Sequence, residues 1–361
     1  MSLQEYKCPN CGGGIQYNPG TQELVCPYCE SVIDIDALRA TDAEAERFGE
    51  TESMNWDYNG SEWRAGEQDG MVVYSCNSCS GEIVGDETLG AATCPFCGNP
   101  VVMVSTFSGA LRPDMILPFK LGKDEAIAAL QKHYLGKRLL PSVFKDWNHL
   151  EEVKGVYVPF WLYDADARAH IEYNATRTRF WSDRHYNYTE TSTFRVVREG
   201  VIGFDRVPVD GSKAIDDTLM ESIEPYSLAG AADFQSAYLA GFYANKYDVG
   251  STECSPRAYQ RIKNSTSSEF AATVTGYTSV TPYRTNISLL NGGVRYALLP
   301  VWLLGTSWEG RKFTFAMNGQ TGKFMGDLPL DKTAFWQWFM KIGGVAAAVL
   351  LIISMIYVSF V

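Results

Sequence analysis

The sequence predicts small four-cysteine zinc ribbons, then an α+β domain with a duplicated antiparallel β-unit and a helical insertion, and one C-terminal transmembrane helix. Three patterns indicate this fold class: paired cysteines repeat before residue 100, strand-like alternation starts near residue 155, and an uncharged apolar run comes last. A chain of 361 residues is long enough for two or three folded units. Its 20% charged and 46% hydrophobic residues are typical of folded globular proteins.

Cysteine pairs of the form C-x-x-C occur four times, and 14 residues separate the two pairs of each half. Two such pairs can close a tetrahedral Zn²⁺ site with Zn–S distances of about 2.3 Å. Because protein ligands would fill all four positions, we predict two structural zinc ions rather than catalytic ones. The predicted ligands are Cys8, Cys11, Cys26 and Cys29 in the first site, and Cys76, Cys79, Cys94 and Cys97 in the second.

Two other uses of these cysteines stay open. The string Cys26-Pro-Tyr-Cys29 matches a glutaredoxin-type redox site, but such a site lies between a strand and a helix, and here another C-x-x-C pair precedes it. Zinc ribbons also bind nucleic acid. Residues 1–100, however, hold 4 Lys and Arg against 17 Asp and Glu, a net charge of −13, while the rest of the chain carries +2. Since phosphate binding depends on Lys and Arg, this charge argues against nucleic acid and favours a protein partner.

Composition divides the chain into six segments. No secretory leader precedes Cys8, so we expect the cysteines to be reduced. Trp56 and Trp63 are expected to pack against the following ribbon. The segments are zinc ribbon 1 (residues 1–36), an acidic tether (37–70), zinc ribbon 2 (71–105), a helical connector (106–155), an α+β domain with an internal repeat (156–330), and an interfacial segment with a transmembrane helix (335–361).

The connector and the α+β domain have distinct local patterns. Residues 123–135 predict a helix, with acids in the first turn and Gly136 as its stop. Residues 156–163 and 296–304 carry similar strand motifs, so the two halves resemble a duplicated β-unit. Residues 318–322 predict a hairpin turn.

The insertion between the two strand motifs, residues 214–267, is expected to be helical. Within it, residues 234–244 predict one helix. A second helix is expected to have Ser255 as its N-cap and Pro256 at its first position.

Arginine and aromatic residues alternate in the first half of the α+β domain, a pattern that could bind single-stranded nucleic acid or anionic lipid headgroups. Acidic residues interleave with them, so we favour cross-strand pairing on a solvated sheet face. The basic and aromatic residues are Arg168, Arg177, Arg179, Arg184, Arg195, Arg198, Tyr173, Phe180, Trp181, Tyr186 and Tyr188, and the acidic residues are Asp166, Glu172, Asp183, Glu190 and Glu199.

No pattern of a catalytic site is found, and we predict that the protein is not an enzyme. The four histidines lack H-E-x-x-H spacing, and no serine lies in a nucleophile elbow. Residues 319–323 lack the spacing of a P-loop. Cys254 has no neighbour at ligand spacing and is expected to be an ordinary free thiol.

Residues 342–361 contain no charge and, as a helix at about 1.5 Å per residue, span about one bilayer core. Trp336, Trp338 and Lys341 supply the aromatic and cationic residues typical of a membrane interface. We therefore predict a single-pass protein of the cell membrane with cytoplasmic N-terminal domains. Small residues four apart, such as Gly343 and Ala347, would allow this helix to associate with another, so an oligomer is possible.

Several motifs together resemble the YdjG-like family of bacterial membrane-anchored double zinc-ribbon proteins. They are CPNCGG at 8–13, CPFCGNP at 94–100, RPDMILPF at 112–119, LPSVF at 140–144, VYVPFW at 156–161, EPY at 224–226 and YLAGF at 238–242. Members are often labelled transcription-factor-IIB-type zinc ribbons or primosomal-helicase-like proteins. The resemblance implies a scaffold that works with flotillin-like (SPFH) and phage-shock-protein-A-like proteins in envelope stress responses.

These observations predict a non-enzymatic, zinc-binding adaptor that is anchored in the membrane and recruits partner proteins. The alternative is a nucleic-acid-binding zinc-ribbon protein related to replication or transcription factors. The two differ in their partner, and the acidic charge of residues 1–100 favours the adaptor.

Overall fold

A computed structural model describes most of the chain after Trp56 and three short strands before it. The described residues are 16–18, 23–25, 32–33, 56, 58, 60–86, 93–99, 101–106, 111–141, 144, 153–309, 311–326 and 328–360. The chain divides into two compact units. The first holds the chain up to Tyr58, Leu162–Pro208 and Ser251–Val294, and the second holds Asn59–Trp161, Val209–Gly250 and Arg295–Val361.

Strands dominate the described residues. In chain order they are β1 (Gln16–Asn18), β2 (Glu23–Val25), β3 (Val32–Ile33), β4 (Met71–Ser75), β5 (Glu82–Asp86), β6 (Val102–Thr106), β7 (Met115–Ile116), β8 (Lys154–Ser182), β9 (Asn187–Asp210), β10 (Ala232–Asp233), β11 (Tyr243–Asn245), β12 (Ser279–Trp308), β13 (Arg311–Asn318) and β14 (Phe324–Gly326). The α-helices are α1 (Lys123–Tyr134), α2 (Asp217–Ser222), α3 (Ser251–Ala272) and α4 (Lys332–Phe360).

The described strands form two sheets. Strands β1, β2 and β3 make a small antiparallel sheet with β2 in the middle. The large sheet has the order β10-β7-β12-β8-β11-β5-β4-β6, with β9 beside β8, β13 beside β12, and β14 beside β13. The α+β fold class is thereby confirmed in its coarse form.

The second ribbon is built into the large sheet. Its strand β5 pairs antiparallel with β11, which places Val84 opposite Ala244. Strand β11 pairs parallel with β8 on its other side, with Ala244 opposite Tyr157. The three ribbon strands β4, β5 and β6 therefore continue the sheet of the second unit, a pairing that the sequence did not indicate.

The predicted connector helix is confirmed as α1. Ala126, Leu130 and Tyr134 are buried, which matches helical spacing. The carboxylate of Glu125 accepts a hydrogen bond from the Gly122 backbone N–H at 2.9 Å and caps the first turn. The helix packs into an apolar core that includes Trp302, Leu304, Phe315 and Met317.

The prediction for residues 234–244 is wrong, because no α-helix forms there. Ala232–Asp233 pairs with β7, Ser236–Leu239 is a 3₁₀ helix, and Tyr243–Asn245 pairs with β5 and β8. Pairing with existing strands outweighs helix propensity in this segment. Gly241 also has φ +82°, which interrupts a helix.

Helix α3 begins at Ser251, four residues before the predicted N-cap. Pro256 therefore lies inside the helix and has no N–H to donate to the carbonyl of Thr252. The hydroxyl of Ser255 donates to this carbonyl at 2.9 Å instead. The carbonyl of Thr252 is therefore hydrogen-bonded although Pro256 has no N–H to donate to it.

One set of contacts in the second unit surrounds the strand motif of β8. The carbonyl of Pro159 accepts a hydrogen bond from the N–H of Gly211 at 2.9 Å. The carbonyl of Gly211 accepts from Asp248 at 3.0 Å and Val249 at 3.2 Å. The indole N–H of Trp161 donates to the carbonyl of Val249 at 2.8 Å, two residues before α3.

A second set surrounds the strand motif of β12. The carbonyl of Pro300 accepts from the N–H of Gly319 at 2.9 Å. The carbonyl of Gly319 accepts from Lys120 and Leu121, each at 3.0 Å. The indole N–H of Trp302 donates to the carbonyl of Leu121 at 3.0 Å, two residues before α1. Residues 318–322 form the predicted turn between β13 and β14, which pair antiparallel.

The arginine-rich strands of the first unit pair across the sheet as expected for Arg195 and Glu172, whose side chains lie 2.9 Å apart on β9 and β8. The guanidinium of Arg195 also stacks 3.6 Å from the ring centre of Tyr283. Farther along the hairpin, the carboxylate of Asp183 accepts a hydrogen bond from the Tyr188 hydroxyl at 2.9 Å. These contacts are intramolecular pairs of the kind that the interleaved acidic residues predict.

Trp56 is buried and Trp63 is half-buried, and both make ring contacts with aromatic side chains. The indole N–H of Trp56 donates to the carbonyl of Asp164 at 3.1 Å, and its ring contacts Tyr163 edge-on. Trp63 contacts Phe234 edge-on, with ring centres 5.7 Å apart. Packing of the two tryptophans against the second ribbon stays a prediction.

Helix α4 is long and apolar enough to cross a membrane over Lys332–Ile353. Within the described part of the chain it is the one helix with this property, and none of that stretch is buried in the protein. The carboxylate of Asp331 caps its first turn by accepting hydrogen bonds from the N–H groups of Thr333 at 2.8 Å and Ala334 at 3.1 Å.

Candidate metal centre

The second ribbon forms two matching cysteine turns. In the first, the N–H of Ser80 donates to the carbonyl of Cys76 at 2.8 Å. In the second, the N–H of Gly98 donates to the carbonyl of Cys94 at 2.9 Å. Ser80 (φ 58°) and Gly98 (φ 74°) are both left-handed at the position four residues after the first cysteine. Glycine favours this left-handed conformation, and Ser80 adopts it at the same position in the first turn.

The two turns approach each other closely at Gly81 and Phe96. A Cβ atom on Gly81 would lie 2.9 Å from the Phe96 ring, so a side chain there would push the turns apart. Phe96 is itself buried. Glycine at this position therefore lets the four sulfurs converge.

The four predicted ligands of the second site come together. The Sγ atoms of Cys76, Cys79, Cys94 and Cys97 all lie within 4.8 Å of one another. The Cys76–Cys97 and Cys79–Cys94 sulfur distances are 3.5 and 3.6 Å. A tetrahedral zinc centre with four thiolates has sulfur–sulfur edges of roughly 3.8 Å at a Zn–S distance of about 2.3 Å. The donor set and its spacing therefore fit a four-cysteine metal site.

The surroundings raise the pKa of the Cys79 and Cys94 thiols and lower the pKa of the Cys97 thiol. Burial raises the pKa of Cys94, and it raises the pKa of Cys79 to about 11. Burial acts in the same direction on Cys97, but hydrogen bonds from Asn99, Cys76 and Cys79 together outweigh it and lower the pKa of Cys97 to about 7. Because burial disfavours a cluster of thiolates, binding of a cation that accepts all four sulfurs would release protons.

The site is held against the sheet from two sides. The Lys154 ammonium donates to the carbonyl of Thr93 at 2.6 Å, directly before Cys94. The hydroxyl of Thr314 on β13 donates to the carbonyl of Phe96 at 3.4 Å. A bound metal would thus fix the ribbon that these contacts join to the core of the second unit.

The cysteines of the first predicted site, Cys8, Cys11, Cys26 and Cys29, lie outside the described residues. That site stays a prediction. Within the described ranges, the cluster in the second ribbon is the group of three or more His, Cys, Asp or Glu residues able to hold a metal ion. Cys254 is buried on α3 and does not belong to this cluster.

A partly buried ion pair near the ribbon escaped the sequence analysis. Arg112 is 6% exposed, and its guanidinium donates to both carboxylate oxygens of Glu67, at 2.7 and 3.0 Å. It also donates to the carbonyl of Phe234 at 2.7 Å. The Arg112 hydrogen bonds lower the pKa of Glu67 to about 2. No local spacing could reveal the pair, because Glu67 and Arg112 lie 45 residues apart.

The fold and site define a β-rich protein with a four-cysteine ribbon and an apolar C-terminal helix. The chain is 33% identical over 350 residues to a Bacillus subtilis (strain 168) protein named "Uncharacterized protein YdjG", and the match covers 97% of each chain. The chain therefore belongs to the YdjG family. No family model matches it, and no solved structure matches it.

Proposed function

We propose that the protein is a zinc-binding adaptor that helix α4 anchors in the cell membrane, with its folded units on the cytoplasmic side. The observation that carries the proposal is the four-cysteine cluster in the turns of the second ribbon, which belongs to the same unit as α4. A metal with four protein ligands has no open position for a reacting water. The zinc would shape a surface, and we propose no catalytic role for the protein.

The proposal includes two zinc ions, with Cys8, Cys11, Cys26 and Cys29 as the second ligand set. Its support is the identical spacing of the two sets in the sequence. Each ion would contribute on the order of 10 kcal/mol to the folding of its ribbon. The proposal that the chain is a zinc-ribbon protein rests on the same cysteine spacing.

We further propose that the α+β region arose from a duplicated unit of short strand, helix, long strand and return strand. Trp161 and Trp302 donate to equivalent carbonyls before α3 and α1. Strand β7 pairs with β12 in the same parallel register that β11 has with β8. The buried positions of the two helices also match: Ala126, Leu130 and Tyr134 in α1 correspond to Cys254, Ala258 and Ile262 in α3.

Partner recruitment is assigned to the acidic N-terminal region. Residues 1–100 carry a net charge of −13 and would attract a basic partner surface. The family resemblance implies flotillin-like (SPFH) and phage-shock-protein-A-like partners, in envelope stress or membrane organisation. Recruitment of such proteins to the membrane is the function that we propose.

The test is affinity purification of the full-length protein from native membranes in mild detergent, with mass spectrometry of co-purifying proteins. A deletion of residues 1–55 removes the first predicted ribbon and leaves Trp56 and the strands of the second ribbon in place. We expect this variant to stay in the membrane and to lose its protein partners. Partners that are retained would contradict recruitment through residues 1–55, and nuclease-sensitive partners would favour the nucleic-acid alternative.

A further inference from the structure

We propose that a cleft between α4 and the loop after α1 binds one anionic phospholipid. The headgroup phosphate would contact Arg138, and an acyl chain would lie along the apolar face of α4. This inference rests on the proposed membrane anchoring of α4 and adds a specific lipid site to it.

The cleft has a volume of about 470 Å³. None of the described residues that line it is acidic. Its one charged side chain lies among aromatic and aliphatic ones, so the cleft matches a ligand with one anionic end and a long apolar part. The lining includes Arg138, Leu139, Phe335, Trp338, Phe339 and Ile342.

Arg138 is placed to receive a phosphate group. Its guanidinium carbon lies 4.6 Å from the ring centre of Trp338, a cation–π contact that orients the group. The side chain is exposed, and a stacked guanidinium keeps its N–H donors in its own plane, where phosphate oxygens can accept them. The Lys341 ammonium lies 6.0 Å from the same ring and adds a second positive charge.

The loop that carries Arg138 is fixed to the start of α4. The N–H of Asp331 donates to the carbonyl of Leu139 at 2.9 Å, and the Asp331 side chain caps the helix. The cleft is therefore formed before any ligand binds. A pre-formed site loses less conformational entropy on binding than a mobile one.

The position along α4 corresponds to the membrane interface. Phe335, Phe339 and Ile342 follow helical spacing on the side of the cleft and are 41%, 56% and 61% exposed. Aromatic and cationic residues of this kind lie at headgroup level, and the uncharged run that starts at Ile342 would enter the hydrocarbon. The apolar side of the cleft thus continues into the surface that lipid tails would cover, which favours a phospholipid over a soluble anion.

The experiment is native mass spectrometry of the full-length protein in mild detergent, with equal amounts of phosphatidylglycerol and phosphatidylcholine added. We expect the wild type to retain phosphatidylglycerol preferentially. Arg138→Gln should lower the ratio of the two lipid adducts by about 5-fold, the factor for one cation near an anionic headgroup. Lys137→Gln is the matched control, because this neighbouring cation lies outside the cleft.

Three results would overturn the lipid site. They are an equal retention of both lipids by the wild type, an equal loss in the two variants, and displacement of the lipid by soluble glycerol phosphate. Alkaline extraction of membranes separates this inference from the anchor. Wild type that resists extraction but shows no lipid preference would contradict the lipid site alone, whereas wild type that is extracted would contradict the anchor as well.

Discussion

Trp161 and Trp302 make the same hydrogen bond in two places of the second unit. Each indole N–H donates to the carbonyl of the second residue before a helix, Val249 at 2.8 Å and Leu121 at 3.0 Å. Each tryptophan also follows, by two residues, a proline whose carbonyl accepts from a glycine N–H at 2.9 Å. Two tryptophans thus join long strands to the segments that lead into α3 and α1.

Replacing either tryptophan by phenylalanine should have a similar cost. The lost hydrogen bond and the unsatisfied carbonyl are expected to lower the free energy of unfolding by about 1–3 kcal/mol in each variant. Urea unfolding of the detergent-solubilised protein measures this. Trp336→Phe is the control, because Trp336 is 60% exposed, and its effect should stay within about 0.5 kcal/mol. A cost for one of Trp161 and Trp302 but not the other would contradict equivalent roles.

The Glu67–Arg112 pair predicts a specific pH dependence. The pKa of Glu67 is lowered from 4.5 to about 2, so the stabilisation is complete above pH 4.5 and is lost as the pH falls from there toward 2. Glu67→Gln should lower the free energy of unfolding by about 2 kcal/mol at neutral pH. The difference from wild type should shrink below pH about 4.

The measurement is urea unfolding of both proteins at several pH values. Glu62→Gln removes the same charge from an exposed side chain nearby and should leave the unfolding curve unchanged. A pH-independent difference between Glu67→Gln and wild type would show that the charge of Glu67 does not stabilise the fold.

Gly81 predicts a steric effect at the metal centre. In Gly81→Ala the new Cβ would meet the Phe96 ring at 2.9 Å, and the resulting displacement should cost about 1–3 kcal/mol and weaken metal retention. Gly250→Ala is the control, since nothing lies within 4 Å of its Cβ position. Chelator competition compares the rates of zinc loss. Equal rates in the two variants would mean that the turns need not approach closely for metal binding.

Several features could be predicted from the sequence because local patterns encode them. Residues 76–97 contain the full ligand set at fixed spacing, and α1 has acids in its first turn and buried residues at helical intervals. The apolar character of α4 is likewise visible in its composition. In each case the signal lies within about 25 consecutive residues.

Features that depend on distant pairing were missed. The segment at 232–245 has helix-like composition, but β7, β5 and β8 supply strand partners that only the folded chain brings near. Contacts between residues that are far apart in the sequence determine the structure of residues 232–245. The local periodicity of the sequence does not contain this information.

The most direct test of the account is the zinc content of full-length protein purified from alkali-washed membranes. We predict two zinc ions per chain, and one in the Cys76→Ser/Cys79→Ser variant, because this change removes two of the four clustered sulfurs. Cys254→Ser, a change of a buried thiol outside the cluster, should retain both ions. Metal-free wild type, unchanged zinc in the double variant, or release of the protein by the alkaline wash would contradict a membrane-anchored zinc adaptor.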